Sequence, residues 1–164
     1  MIAFPFNPSK PVMGKASVQI NKPISKVFAF IGKKFFHNYP KWALELAEFE
    51  PLNGVEVFVG AKARQLRKDQ GQEVESIFEV IEFTPDIKLS FKGIDAPYRN
   101  TYELENSNDY STQLTFIFEL LELELFMRPF EKLVRTAIEE GAENTVANIK
   151  NLLADDDDEH QKIN

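Results

Sequence analysis

The sequence predicts an α+β domain in which a curved antiparallel sheet of seven strands wraps around a long C-terminal helix. Three observations predict it. Apolar and polar residues alternate through successive runs, short turn signals separate those runs, and a three- and four-residue apolar period fills the stretch before the C-terminus. The chain has 164 residues, 43% hydrophobic and 27% charged, which suits a single domain able to bury a core of its own.

The elements follow in order. Residues 16–21 (ASVQIN) alternate as a half-buried strand does. Lys22-Pro23 then opens a helix, since proline's missing N–H costs nothing at the first helical position. Ile24, Val27, Phe28 and Ile31 fall on one face of it, and Gly32 suits a left-handed stop. A second short helical piece is expected around Pro40-Lys41-Trp42, and an extended segment at about 45–52. Asn53-Gly54 marks a hairpin, because both central positions of such a turn can require positive φ. Further turn signals stand at Asp69-Gln70-Gly71, Thr84-Pro85-Asp86, Gly93 to Pro97 and Asn106-Ser107-Asn108-Asp109. Between them lie strand-like runs at roughly 57–67, 72–83, 87–92, 98–105 and 110–122. Connections this short join antiparallel neighbours.

The alternation also assigns faces. Val74, Ser76, Phe78 and Val80 oppose Glu73, Glu75 and Glu79. Ile87, Leu89 and Phe91 oppose Lys88, Ser90 and Lys92. Asn100, Tyr102 and Leu104 oppose Arg99, Thr101, Glu103 and Glu105, and Leu114, Phe116, Phe118 and Leu120 oppose Gln113, Thr115 and Glu119. In the run 57–67, Phe58 and Leu66 share a face with Lys62 and Arg64, which leaves its orientation open. One sheet face is thus apolar and needs a cover. The cover is a helix from about 126 to 154, where Phe126, Phe130, Leu133, Val134, Ala137, Ile138, Gly141, Thr145, Ile149, Leu152 and Leu153 recur at helical steps. Pro129 belongs in its first turn. Gly141, costly in mid-helix, implies close packing or space left for something else. The expected organisation is an N-terminal extension over 1–13, one domain over 14–154 and an acidic, disordered tail over 155–164.

Composition narrows the function classes. There are 15 Phe and no Cys; disulfides and thiolate chemistry are excluded, and the phenylalanines imply a bulky interior without polar handles. They fit a filled aromatic core and an aromatic-lined cavity alike. The first residues hold no signal-peptide pattern and no stretch is long and apolar enough for a membrane span, so a cytoplasmic protein without a transmembrane segment is expected. Residues 1–44 carry seven lysines and no acid; a net charge of −7 overall leaves −14 on residues 45–164. The basic first third is expected to be complemented by the acidic strands and helix that follow. No basic patch rich in Arg and aromatics is present, so nucleic acid is not an expected partner.

Several segments resemble the START-like, or SRPBCC, superfamily, in particular its polyketide cyclase/dehydrase-like branch. Ala16-Ser17-Val18-Gln19-Ile20-Asn21-Lys22-Pro23 with Val27-Phe28 is similar to that family's first strand entering its first helix. Tyr39-Pro40-Lys41-Trp42, Val59-Gly60-Ala61-Lys62-Ala63-Arg64 and Val80-Ile81-Glu82-Phe83-Thr84-Pro85 followed by Leu89 resemble later family motifs in the same order. The resemblance covers residues 14–154. It implies the helix-grip fold and a cavity between the sheet and the terminal helix, and it supplies no universal catalytic motif.

Chemistry-bearing residues are few. His160 lies in the acidic tail, and His37 stands near the Tyr39-Pro40 segment as a surface histidine. No metal-ligand cluster, catalytic triad, Gly-rich phosphate loop or nucleotide motif can be assembled, so no cofactor, no metal and no assigned catalytic residue are expected. The expected cavity residues are Trp42, Ser76, Phe78, Phe91, Asn100, Tyr102, Phe116, Phe118, Phe130 and Val134, with Phe78, Phe91, Phe116 and Phe118 facing Phe130, Val134 and Ala137. Ser76, Asn100 and Tyr102 are the polar groups that could orient a ligand, Tyr102 the best donor. Arg64 matches a family arginine while the alternation turns it outward. The first reading is binding of an apolar or amphiphilic molecule, lipid-, polyketide- or isoprenoid-like. The alternatives are a cyclase/dehydratase polarising a carbonyl through Tyr102, Asn100 or Arg64, and a protein-interaction domain using the basic third or the acidic tail.

Overall fold

The computed structural model describes residues 11–69 and 71–162. Seven antiparallel strands form one sheet: β1 (Val12–Ile20), β2 (Leu46–Pro51), β3 (Lys62–Asp69), β4 (Gln72–Thr84), β5 (Lys88–Gly93), β6 (Tyr98–Asn108) and β7 (Ser111–Leu120). Their spatial order is β1-β7-β6-β5-β4-β3-β2. Successive strands from β2 to β7 are neighbours, as short turns dictate, and β1 returns to lie beside β7. The expected seven-strand sheet with a long terminal helix is the observed architecture.

The order places β1 and β2 on opposite edges, so the chain between them must cross the sheet. That crossing carries α1 (Ile24–Phe28), a π-helical turn at Ala29–Lys33 and α2 (Phe35–Trp42). In α2, Phe35, Phe36, Tyr39 and Trp42 stand at helical steps on one face and are all buried. Pro40 sits in the last turn, where the helix is about to end. The helical piece expected around Pro40-Lys41-Trp42 is α2, which already begins at Phe35. Gly32 is likewise corrected: it lies in the π turn, where an added Cβ would stand 2.6 Å from the Phe28 ring. It is a packing glycine and not a left-handed stop.

Rows of inward side chains run across the sheet. Val12 pairs with Leu120, which pairs with Tyr98; Gly14 with Phe118 and then Asn100 and Phe91; Ala16 with Phe116 and then Tyr102 and Leu89. The expected faces of β5, β6 and β7 are those found. Ile87 is the exception in its run, exposed just before β5 begins, and Val74 is exposed at the start of β4. β3 starts at Lys62, five residues later than expected. Residues 52–61 form a loop in which Gly54 and Gly60 take positive φ, and Asn53 accepts a hydrogen bond from the Lys62 amide at 2.8 Å. The strands on either side pair as a hairpin, Pro51 opposite Ala63, but over a longer loop than Asn53-Gly54 implied.

The terminal helix α3 spans Glu131–Lys162. It is preceded by a 3-10 turn at Leu125–Phe130 that holds Pro129. It begins later than the periodicity suggested and runs on through the acidic segment to Lys162, in place of the expected disordered tail. The extension expected over 1–13 lies outside the described residues as far as Lys10, Gln70 of the β3–β4 turn lies outside them too, and from Val12 the chain is already in β1. α3 packs chiefly along β1 and more lightly on β7 and α2. Its contact with β1 is close: a Cβ on Gly14 would stand 2.7 Å from the Ile138 carbonyl carbon, 2.8 Å from the Glu139 nitrogen and against Ile138 Cγ2. Ala142, Val146, Ile149 and Leu153 continue the buried stripe, and Asn148 donates to the Trp42 carbonyl at 3.1 Å. Gly141 is exposed and an added Cβ there would meet nothing within 4 Å, so neither close packing nor a reserved space explains it.

The two glycines predict opposite responses. Gly141→Ala should raise stability by about 0.5–1 kcal/mol, the helix-propensity gain at an open site. Gly14→Ala should cost about 1–3 kcal/mol through overpacking against backbone that a rotamer change cannot relieve. Denaturant unfolding of the two variants checks both signs.

Candidate functional site

On the concave face α2 packs against strands β2 to β6. Phe78 on β4 and Phe91 on β5 are fully buried with ring centroids 4.2 Å apart, and Phe35 lies 5.3 Å from Phe91. Tyr39 stacks on Phe35 at 4.8 Å and meets Phe78 edge-on. Trp42 is buried against Tyr102 and donates from Nε1 to the Tyr102 hydroxyl at 3.1 Å. Tyr102 in turn lies 4.9 Å from the Phe116 ring. Edge-on and tilted contacts of this kind favour a fixed packing over a fluid one. Trp42, Phe78, Phe91, Tyr102 and Phe116 are therefore brought together, with α2 packed on Phe78, Phe91 and Tyr102.

The expected partners from the terminal helix stand elsewhere. Phe130 is 50% exposed in the 3-10 turn, Ala137 is exposed and Val134 is partly buried. The exposure of Phe130 and Ala137 does not fit their expected facing onto Phe78, Phe91, Phe116 and Phe118. Phe118 alone keeps to the helix side, beside Gly14 and parallel to the Tyr98 ring at 6.4 Å.

A polar chain runs through this aromatic layer. Tyr39 donates to Gln65 Oε1 at 2.9 Å, and Gln65 Nε2 donates to the Tyr98 hydroxyl at 3.0 Å and to Ser76 Oγ at 3.3 Å. Ser76 and Tyr98 hydroxyls are 3.0 Å apart. Gln65 and Ser76 are cross-strand partners on β3 and β4, which is why both point inward. Burial pushes the phenol of Tyr39 well above its ordinary value of 10.0 and also raises Tyr98 and Tyr102. All three are neutral hydroxyls that can donate a hydrogen bond and cannot act as a base near neutral pH. Gln65 and Tyr98 were not among the expected cavity residues; Gln65 lies in the run 57–67 whose orientation the alternation leaves open, and Tyr98 follows from the period of β6 carried one step back.

Asn100 is 5% exposed, and its Oδ1 has no hydrogen-bond partner. Arg64 points outward, as alternation indicated, and pairs with Glu48 at 2.7 Å, Glu75 at 3.5 Å and Glu50 at 3.6 Å across β2, β3 and β4. His37 is exposed on α2, and the His160 side chain lies outside the described residues. Among the described residues no three potential ligands form a metal site, and the buried polar side chains include amides, hydroxyls and Lys22 but no carboxylate or imidazole. No described helix is long and apolar enough to cross a membrane.

One end of the concave layer is built differently. There β1 begins, β7 ends, and the Leu121 amide donates to the Pro97 carbonyl of the β5–β6 loop at 2.7 Å. The chain then enters the 3-10 turn and the first turns of α3. Leu125, Phe126, Phe130 and Leu133 are 50–70% exposed in this short stretch, and Ile94 of the β5–β6 loop is exposed as well.

A grip of this kind, with a curved sheet, a crossing helix pair and a terminal helix on the first strand, defines the START-like class. The family described as "Polyketide cyclase / dehydrase and lipid transport" matches residues 13–154, and the chain belongs to it. No curated protein matches. Among solved structures, the chain is similar to SA2116, a protein of unknown function from Staphylococcus aureus, at 15% identity, with 91% of this chain and 97% of that one covered and a TM-score of 0.71. It is similar to a START superfamily protein from Mycobacterium smegmatis at 16% identity, 85% and 98% coverage and TM-score 0.62. The Zhui aromatase/cyclase from Streptomyces sp. R1128 is similar at 11% identity, 86% and 92% coverage and TM-score 0.69. At such identities the likeness is one of fold.

The buried phenols predict an alkaline limit. Their folded values lie above the unfolded one, so their stabilising contribution is complete below pH 10.0 and is lost as pH rises beyond it. In Tyr110→Phe, which leaves only Tyr39, Tyr98 and Tyr102, phenolate absorbance should appear together with the loss of circular dichroism and not before it.

Proposed function

We propose that the protein binds an apolar or amphiphilic small molecule, lipid-, polyketide- or isoprenoid-like, between the open end of the concave face and the first turns of α3. The observation that carries this reading is the exposed set Leu125, Phe126, Phe130 and Leu133. Four large apolar side chains left in water within nine positions are not needed to hold α3, whose buried stripe Ala142, Val146, Ile149 and Leu153 lies further along. Exposed apolar patches of this density mark surfaces with something to bind. On the concave face Phe118 lies beside Tyr98, and Tyr98 joins the polar chain of Gln65 and Ser76; a mostly apolar surface with a few directed polar groups suits such a ligand. Burial of ligand area there supplies roughly 25 cal/mol per Å2 before ordering costs. The family description, which joins polyketide chemistry to lipid transport, supports the same class of ligand.

The buried tyrosines can hold or polarise a bound oxygen, while among the described residues the buried polar side chains include no carboxylate or imidazole to abstract a proton. Holding is therefore favoured over transforming.

Native mass spectrometry of gently purified protein should find an apolar species bound, and an apolar fluorescent probe should be displaced by it. Phe126→Ser with Phe130→Ser should weaken probe binding about tenfold while leaving the thermal midpoint within about 2 °C, because exposed residues contribute little to folding. Protein that carries nothing and takes up no probe would defeat the reading.

A further inference from the structure

On the concave face the inward polar side chains answer one another. Tyr39, Gln65, Ser76 and Tyr98 form one connected set, and Trp42 and Tyr102 form a pair. Asn100 is the exception. It sits on β6, in the same row as Gly14 and Phe118, with Phe91 opposite it on β5. Tyr98 and Tyr102 stand two positions away on the same strand face. Its Oδ1 is buried in this aromatic surround with no donor in reach, and buried acceptors in native folds are almost always partnered. A leucine of similar volume would fill the place without that penalty, so the amide is not what the packing alone asks for. The row is also placed for access. α3 comes down on the sheet at its Gly14 end, through Ile138, and only the Val12, Leu120 and Tyr98 row lies between it and the open end.

We propose that Asn100 is the specificity-determining contact of the ligand site, and that the ligand is an apolar ring system carrying a hydrogen-bond donor, a hydroxyl or an N–H, which reaches Oδ1. The inference rests on the proposed binding function and adds to it. Phe91, Phe118 and Tyr98 offer ring faces and edges to the body of such a molecule. Asn100 then selects against pure hydrocarbons and against analogues whose only polar atoms are acceptors, since these leave Oδ1 unpaired when they expel water. Sites built to hydrogen-bond one group reject the analogue that lacks it more sharply than apolar pockets sort by size.

The test uses the full chain and two probes of one ring system, 2-naphthol, which carries a donor, and 2-methoxynaphthalene, which does not. The wild type should bind 2-naphthol about 5- to 100-fold more tightly. Asn100→Leu should bind both equally, with a thermal midpoint unchanged or raised, and Asn100→Asp, which keeps an acceptor, should retain the preference. Should Asn100→Leu fail to fold, Asn100→Met replaces it. Equal affinities in the wild type, or a preference that survives in Asn100→Leu, overturn the assignment. So does a lowered midpoint in Asn100→Leu with the preference intact, which would mark a structural amide satisfied by buried water. If neither naphthalene binds the wild type, the binding function itself fails and the inference with it; binding of both without discrimination removes the inference alone.

Discussion

The close approach of α3 to β1 at Gly14 is the contact on which the rest of the architecture depends. A side chain there would run into the backbone of Ile138 and Glu139, so the helix can lie on the edge strand only because the strand presents no Cβ. α3 lies chiefly along β1, with β7 and α2 as its other main neighbours, and its buried stripe joins the common core. On the concave face of β3 to β6 the β1-to-β2 crossing contributes the aromatic cover. Phe35, Tyr39 and Trp42 of α2 pack there against Phe78, Phe91 and Tyr102. In the 3-10 turn and the first turn of α3, Leu125, Phe126, Phe130 and Leu133 stay exposed.

Much of this was legible in the residues. The alternation of β4, β6 and β7 fixed both the strands and their faces, because a strand covered on one side shows a clean two-residue period. It also decided Arg64, which pairs with Glu48, Glu50 and Glu75 on the outer face despite its match to a family arginine. α2 was harder to read. Its period runs through Phe35, Phe36, Tyr39 and Trp42, but Pro40 lies inside it, and a proline in the last turn looks from sequence like one in the first. Asn53-Gly54 misled in length, since the turn residues were right and the loop around them was longer. The assignment of Phe130 and Ala137 to the sheet side failed for a tertiary reason: a periodic apolar stripe tells that a helix has an apolar face, not how much of that face finds a partner.

The interior combines dense aromatic packing with a small number of neutral polar groups. Tyr39, Tyr98 and Tyr102 are kept protonated by burial, and Gln65 ties strands β3, β4 and β6 to α2. Such a network fixes one arrangement of a core that phenylalanines alone would leave adaptable. The phenylalanines, which fitted a filled core and a lined cavity alike, divide accordingly. Phe35, Phe78 and Phe91 fill the inner sheet, whereas Phe118, Phe126 and Phe130 stand towards the open end.

The central claim is that α3 grips β1 from Gly14 onward while its first turns form a cover that a ligand completes. Amide hydrogen exchange, followed by peptide mass spectrometry with and without 2-naphthol, tests it most directly. The account predicts strong protection at Ala142 to Leu153 in both states, and weak protection from Leu125 to about Val134 that rises when the probe is present. Equal protection along the whole of α3 without the probe, or protection of its first turns that the probe leaves unchanged, would contradict it.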